Sequence, residues 1–505
     1  MVRIKYILLL LSGVALAPSP AQEQELRQAV EAHVNGHQKQ TVGELISALE
    51  FPAVAADELS IRRKAEFLRK RLAARGFLSE ILETDGNPLV FGSLTVPGTT
   101  RTLLLYCHYD GQPVDPTKWR QPDPFRPVML DGKLSDGAAS VDFESVGSFE
   151  RNWRIYARTA SDDTAPIIGL LTALDALQAG GIRPSSNIKV ILDGEEEAGS
   201  PNLVPAIERY RDRLAADLLL IFDGPLHQSD RPTVVFGARG IMTVDLTVFG
   251  PRLPLHSGHY GNWAPNPAMQ LARLLASMKD ADGRVVIEGF YDGVRFTPED
   301  QRMLDAVPDD LDELEVMLGF SRPDSVGDSL QQAIQFPSLN IRGLRSAWVG
   351  AEARTIIPDR AVAAIDIRLV KETRPDHLYQ KLLAHIRSQG FHIVSEDPDD
   401  ITRAEHGRIV KVTRRGSTNA YRTDVKNPIA GKVVAAIDAV WDGPIVQKRT
   451  SGGTVPIAPF IEALGLPALG VPTVNFDNNQ HSPNENVRIG HFFDGIVTFA
   501  AIFTM

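Results

Sequence analysis

The 505-residue sequence has a single cysteine, Cys107, so no internal disulfide can form and stability must come from a packed core and from whatever ions the chain binds. Cys107 ends a short apolar run, which marks it as a small core residue rather than a nucleophile. No nucleophile-elbow motif occurs, and serine-hydrolase chemistry of that type is set aside. Positive charge is also short: the formal net charge is −10, which argues against nucleic acid or an acidic membrane surface as a partner. Beyond the N-terminus no run is long and apolar enough to cross a bilayer.

The N-terminus itself carries Arg3 and Lys5, then apolar stretches over 6–11 and 14–17. This predicts a secretory signal, residues 1–21, cleaved after Ala21, with the mature protein secreted or periplasmic. The apolar core is too short for a comfortable membrane anchor. Loss of Arg3 and Lys5 takes the formal charge from −10 to −12.

What the chain does have is a series of histidines and acids placed just after apolar runs. Thr102–Tyr106 (TLLLY) reads as a buried strand that delivers His108, with Asp110 two residues on. Ile155–Ala157 leads to Asp162 and Asp163, followed by a helix over 166–179 that is stopped by Gly180 and Gly181. Alone, these two aspartates read as ordinary N-caps. Ile188–Leu192 (IKVIL) ends in Asp193, Gly194 and the triplet Glu195, Glu196, Glu197. Three adjacent glutamates repel unless protons or cations neutralise them, and a solvated acidic loop is the alternative. Leu218–Phe222 (LLLIF) precedes Asp223, and Gly470–Phe476 precedes a segment containing His481. Ligands just past the carboxyl ends of parallel strands converge on one crevice of an open α/β sheet. Mixed His and Asp/Glu donors suit zinc, manganese or cobalt.

The strings CHYDGQP, ASDD, DGEEEAGS, LIFDGP and NNQHSPNE, in this order, resemble the co-catalytic dinuclear metallopeptidases that include carnosinase, glutamate carboxypeptidase and aminoacylase. The resemblance spans essentially the whole mature chain. It implies two divalent ions per chain, zinc first, with Asp162 bridging them, His108 and Asp223 completing one site, and Glu197 and His481 the other. It also implies Glu196 as the general base, Asp110 as the acid that orients His108, and a cis peptide between Asp162 and Asp163. The sequence departs from the family around the bridging acid, where Ala157-Arg158-Thr159 replaces Gly-Arg-Gly and Thr164-Ala165 replaces Lys-Gly.

Because the candidate ligands break off at Asp223 and return at His481, a large segment is inserted between them. The expected architecture is α/β: a catalytic domain with a mostly parallel central sheet flanked by helices (residues 22–239 and 413–505), plus a smaller α+β lid (residues 240–412). Within the lid, strands are expected over 241–249 and 362–369, and helices over 267–278 and 375–388. The stretch 298–328 is rich in Asp, Glu and Pro and suggests no chemistry.

By the same resemblance, His256 reaches the substrate carbonyl, and in the carnosinase-like branch it does so in a partner subunit, which implies a homodimer through the lid. Thr355 and Arg368 would grip substrate, and Gly452, Gly453 and Thr454 would form a carboxylate-binding loop. The function expected is a secreted two-metal exopeptidase acting on dipeptides or short peptides with a free carboxyl end. The alternatives are an N-acyl amino acid amidohydrolase and a non-catalytic peptide-binding relative.

Overall fold

The computed structural model describes residues 20–505, so the expected signal segment lies almost wholly outside the described residues. An eight-stranded sheet forms the larger domain, in the order Leu78–Leu82, Leu89–Leu94, Asn187–Asp193, Thr102–His108, Leu218–Ile221, Ala468–Gly470, Thr233–Val235, Val446–Lys448. Its four middle strands, from Asn187–Asp193 to Ala468–Gly470, run parallel to one another, and antiparallel pairs occur on either side of them.

The middle strands are apolar throughout because both faces are covered, as in other parallel sheets. In Thr102–His108, Leu103, Leu105 and Cys107 pack on one face while Leu104 and Tyr106 pack on the other. The first face is closed by the helices Pro20–Leu49, Ala165–Ala179 and Ile489–Thr504, and the second by Leu203–Leu214 and Ala458–Leu464. Cys107 is fully buried in the first layer.

The second sheet, in the order Ser338–Arg345, Arg360–Leu369, Gly240–Phe249, Ile409–Thr418, His392–Val394, has only one covered face. Met242, Val244, Leu246 and Val248 face the helices Pro267–Ala276 and Pro375–Ser388, as do Ala363, Ile365, Ile367 and Leu369. Strand periodicity therefore puts Asp366 and Arg368 on the opposite face. The strand Ile409–Thr418 pairs with Gly240–Phe249 and runs across the expected boundary at 412, so the lid sheet extends to Thr418.

One expectation about topology is corrected. The strand that leads to Asp162, Arg154–Tyr156, does not belong to the central sheet but to a small antiparallel sheet with Val128–Leu130 and Asn486–Arg488. Asp162 reaches the crevice through a short π-helical turn, Ala160–Thr164, that opens into the helix Ala165–Ala179. Its short apolar run resembled the others because Ile155 fills the same core.

Candidate metal centre

His108 is carried by the last residue of its strand and is fully buried. Its Nε2 lies 2.8 Å from Asp162 Oδ1, and Asp223 stands at the end of the neighbouring parallel strand. On the other side of Asp162, His481 Nε2 lies 3.1 Å from Asp162 Oδ2 and 3.3 Å from Glu197 Oε2. Two clusters result, His108 with Asp162 and Asp223, and Asp162 with Glu197 and His481; in each, the ligand atoms lie within 4.8 Å of one another. They share Asp162. Its Oδ2 is buried and accepts no well-aligned hydrogen bond despite the nearness of His481, as a carboxylate oxygen left for a cation would be. The donor set of imidazoles and carboxylates fits two divalent ions of the zinc type.

The peptide bond between Asp162 and Asp163 is cis. Asp110 is buried, and its Oδ1 lies 3.4 Å from His108 Nδ1. The Asp110 backbone carbonyl meets His108 Nδ1 at 3.2 Å, while the carboxylate's Oδ1 accepts from the Glu196 backbone N–H at 3.0 Å and its Oδ2 from that of Glu197 at 3.1 Å. One carboxylate thus ties the histidine strand to the glutamate turn. Glu197 is further held by Gln112, whose Nε2 donates to Oε2 at 2.7 Å.

Two residues that support this centre escape a reading of the sequence. Glu485 is fully buried and collects the Ser161 and Asp162 backbone N–H groups at 2.9 and 3.0 Å, the Ser161 hydroxyl at 3.0 Å and Arg158 Nη1 at 2.8 Å. It clamps the turn that presents Asp162, and the only sequence signal is its place in the string NNQHSPNE. Lys64, also fully buried, donates from Nζ to Thr164 Oγ1 at 3.0 Å and Thr159 Oγ1 at 3.3 Å. Burial brings it down to about 7 against the pull of Asp110, Glu485 and Asp163. Lys64 sits on the helix Glu58–Ala74 among Ile61, Ala65, Leu68 and Leu72, so a lysine stands where the helical period demands an apolar side chain. It approaches the side chain of Thr164, where the resemblance would place a lysine.

Removed from water, the acids are held far from their ordinary behaviour. Burial raises Glu196 well above the usual carboxylate range, Glu197 to about 7 and Asp223 to about 6, with Asp162 as a further cause in each. Asp162 goes the other way, because the imidazoles of His108 and His481 outweigh its burial. A raised folded-state value means that the folded protein binds more protons than the unfolded chain, so this part of the stability is present at low pH and lost as the pH rises toward 7. Chelated protein is expected to melt at progressively lower temperature from about pH 5 to about pH 7.5, with a flatter profile in Asp223→Asn. Thermal melts of the two chelated proteins check this; parallel profiles would refute it.

The crevice opens into a cavity of about 370 Å³ lined by Asp162, Glu196, Asp223 and His481 on one side and by Gly453, Thr454, Phe476 and Lys448 elsewhere. Arg368, on the lid, reaches the wall residue Thr454, donating from Nη1 to its Oγ1 at 2.7 Å. Asp309, Leu314, Leu330 and Gln331 also line it, so the stretch 298–328, expected to be inert, contributes two wall residues. Gly452 lies between the wall residues Ser451 and Gly453. His256 and Thr355 are exposed and adjacent to each other, with Ser257 N–H donating to the Thr355 carbonyl at 3.0 Å, and neither lines the cavity of its own chain.

A three-layer α/β domain that gathers two His/carboxylate clusters around a shared aspartate, joined to an inserted lid, has the build of a two-ion hydrolase. The chain belongs to peptidase family M20/M25/M40, whose model matches residues 104–504, and it is accordingly a metallopeptidase. It is 26% identical to the Cys-Gly metallodipeptidase DUG1 of Candida albicans, over 90% of this chain and 92% of that protein. It is likewise 26% identical to the human Beta-Ala-His dipeptidase, over 98% and 96%. Among solved structures, the M20 family metallo-carboxypeptidase Sso-CP2 from Sulfolobus solfataricus superposes with a TM-score of 0.73 at 28% identity, covering 92% of this chain and 98% of that one.

Proposed function

We propose that the protein is a secreted exopeptidase that hydrolyses the amide bond of dipeptides or short peptides with a free carboxyl end, using two divalent ions, zinc foremost. The observation that carries this reading is that members of both clusters sharing Asp162 line one cavity with Gly453 and with Thr454, the residue to which Arg368 of the lid donates. Arg368 is the residue suited to a terminal carboxylate, because its fork matches the two oxygens. Relatives named as dipeptidases support the same substrate size.

In this reading His108, Asp162, Asp223, Glu197 and His481 hold the ions, which when bound supply Lewis acidity for the scissile carbonyl and the attacking water. Glu196 lines the cavity without belonging to either cluster, and its role is to take a proton from that water and return it to the leaving amine nitrogen. Asp110 keeps Glu196 and Glu197 in register through their backbone N–H groups. Secretion rests on the N-terminal pattern of Arg3, Lys5 and the apolar stretch that follows.

Assembly as a homodimer through the lid is part of the proposal. The strand Ser338–Arg345 is an edge of the lid sheet, and the lid exposes Trp263 (83%), Leu344 (61%) and Val349 (86%) along with Trp348. A second copy would cover these side chains and bring its own His256 and Thr355 to a neighbouring cavity.

The test is metal analysis of the purified mature protein together with a screen of dipeptides and N-acyl amino acids under defined metals. Two ions per chain and preferential turnover of dipeptides are expected. Preferential turnover of long-chain acyl amino acids would make it an amidohydrolase instead, and one ion or none would end the two-ion reading.

A further inference from the structure

Lys448 ends the strand Val446–Lys448 at the edge of the central sheet, and the parallel register that sets it opposite Val235 places both residues in the cavity wall. Lys448 is half-buried, and this burial lowers its affinity for the proton, with Asp309 opposing through its charge. Among the described residues, no hydrogen bond contributes to holding the ammonium.

Asp309, the acid whose charge reaches Lys448, makes no hydrogen bond to it and is already held by two other side chains. Its Oδ1 receives His227 Nε2 at 2.9 Å, and its Oδ2 receives Gln331 Nε2 at 2.9 Å. Two other polar groups on this side are engaged, His227 Nδ1 with Ser229 Oγ at 2.9 Å and Gln228 Nε2 with the Asp310 carbonyl at 3.3 Å, while Gln331 Oε1 is buried without a hydrogen-bond partner. A half-buried ammonium with no anion in hydrogen-bond contact is incompletely compensated, and its natural complement is a negative group that enters from outside. The opening available to Lys448 is the cavity that also exposes Asp162, Glu196 and Asp223.

We infer that Lys448 is a specificity residue that selects substrates carrying a second carboxylate, an acidic side chain in addition to the terminal carboxylate held by Arg368 and the glycine-rich loop. This rests on the exopeptidase reading above and narrows its substrate class. It also accounts for a wall that is not uniformly apolar: Ile221, Leu226 and Phe476 are interrupted by an Asp309–His227–Gln331 network that lies beside Lys448 without a hydrogen bond to it.

The experiment compares Glu-Ala with Gln-Ala and Ala-Glu with Ala-Gln, pairs that differ only in charge, in the metal-loaded holoenzyme. Each pair is read as a ratio of kcat/KM where the peptides are turned over and as a ratio of Kd by calorimetry where they are not, so a failure of hydrolysis does not conceal the answer. A charge-assisted contact predicts a preference of about tenfold to a hundredfold for the acidic member of one pair. In Lys448→Met that ratio should fall to about one, and in Lys448→Glu it should invert. A ratio near one for both pairs in the wild type would overturn the assignment. So would a Lys448→Met variant in which both members of a pair weaken together and the ratio survives, because Lys448 would then serve the terminal carboxylate or the fold.

Discussion

Replacing Glu196 with alanine is expected to leave the ion content unchanged while lowering kcat by about two to four orders of magnitude, the usual worth of general acid–base help. Replacing Glu197 is expected to weaken the second cluster, and replacing Asp162 to empty both and abolish activity. The distinction rests on geometry. Glu197 stands 3.3 Å from His481 and belongs to a cluster, whereas Glu196, one residue earlier, belongs to none and faces the cavity. Both backbone N–H groups are pinned by Asp110, so the turn cannot slip to exchange the two side chains. Burial also raises Glu196 well above the usual carboxylate range. Ion content by mass spectrometry, set beside single-turnover rates for the three variants, decides the matter. If Glu196→Ala loses an ion and Glu197→Ala retains both, the register of the triplet is off by one. Two ions retained in Asp162→Ala would remove it as the bridge.

How much of this was legible in the sequence depended on how each residue is held. Strands buried on both faces must be apolar without interruption, so Thr102–His108, Asn187–Asp193 and Leu218–Ile221 announced themselves, and the ligands at their tips came with them. The lid strands Gly240–Phe249 and Arg360–Leu369 were equally visible through their alternation, which also predicted the side of the sheet that Arg368 would occupy. Asp162 was found by its motif but misplaced in topology, because Arg154–Tyr156 is a short strand whose pairing with Asn486–Arg488 joins residues more than three hundred positions apart. Nothing local encodes that partner. Glu485 and Lys64 were missed for a related reason: each acts on the Asp162 turn from a distant element, and only the fold reveals what a buried charge touches. The wall formed by Asp309 and Leu314 was hidden by composition, since an acidic, proline-containing stretch looks like solvated surface until Asp309 is seen to be fixed by His227 and Gln331.

His256 poses the sharpest question, because the resemblance makes it essential while the structure leaves it exposed and outside the cavity of its own chain. Its ring is engaged only locally: Nδ1 accepts from the Gly258 N–H at 3.0 Å, and the ring lies 4.5 Å from that of His259. A lid residue that serves a neighbouring subunit would have this position, on the same domain as the uncovered Trp263, Trp348 and Val349. In a two-fold dimer each site would then combine Glu196 of one chain with His256 of the other. His256→Ala and Glu196→Ala are each expected to be nearly inactive. Mixed and allowed to exchange subunits at equal amounts, they give half mixed dimers, and each mixed dimer has one site with both groups and one with neither. About a quarter of all sites should therefore recover full turnover, and the recovered rate should grow with the fraction of mixed dimers measured by native mass spectrometry. A histidine serving its own chain leaves every site short of one group. A mixture shown to contain mixed dimers yet showing no recovery would place His256 in cis or remove it from the reaction.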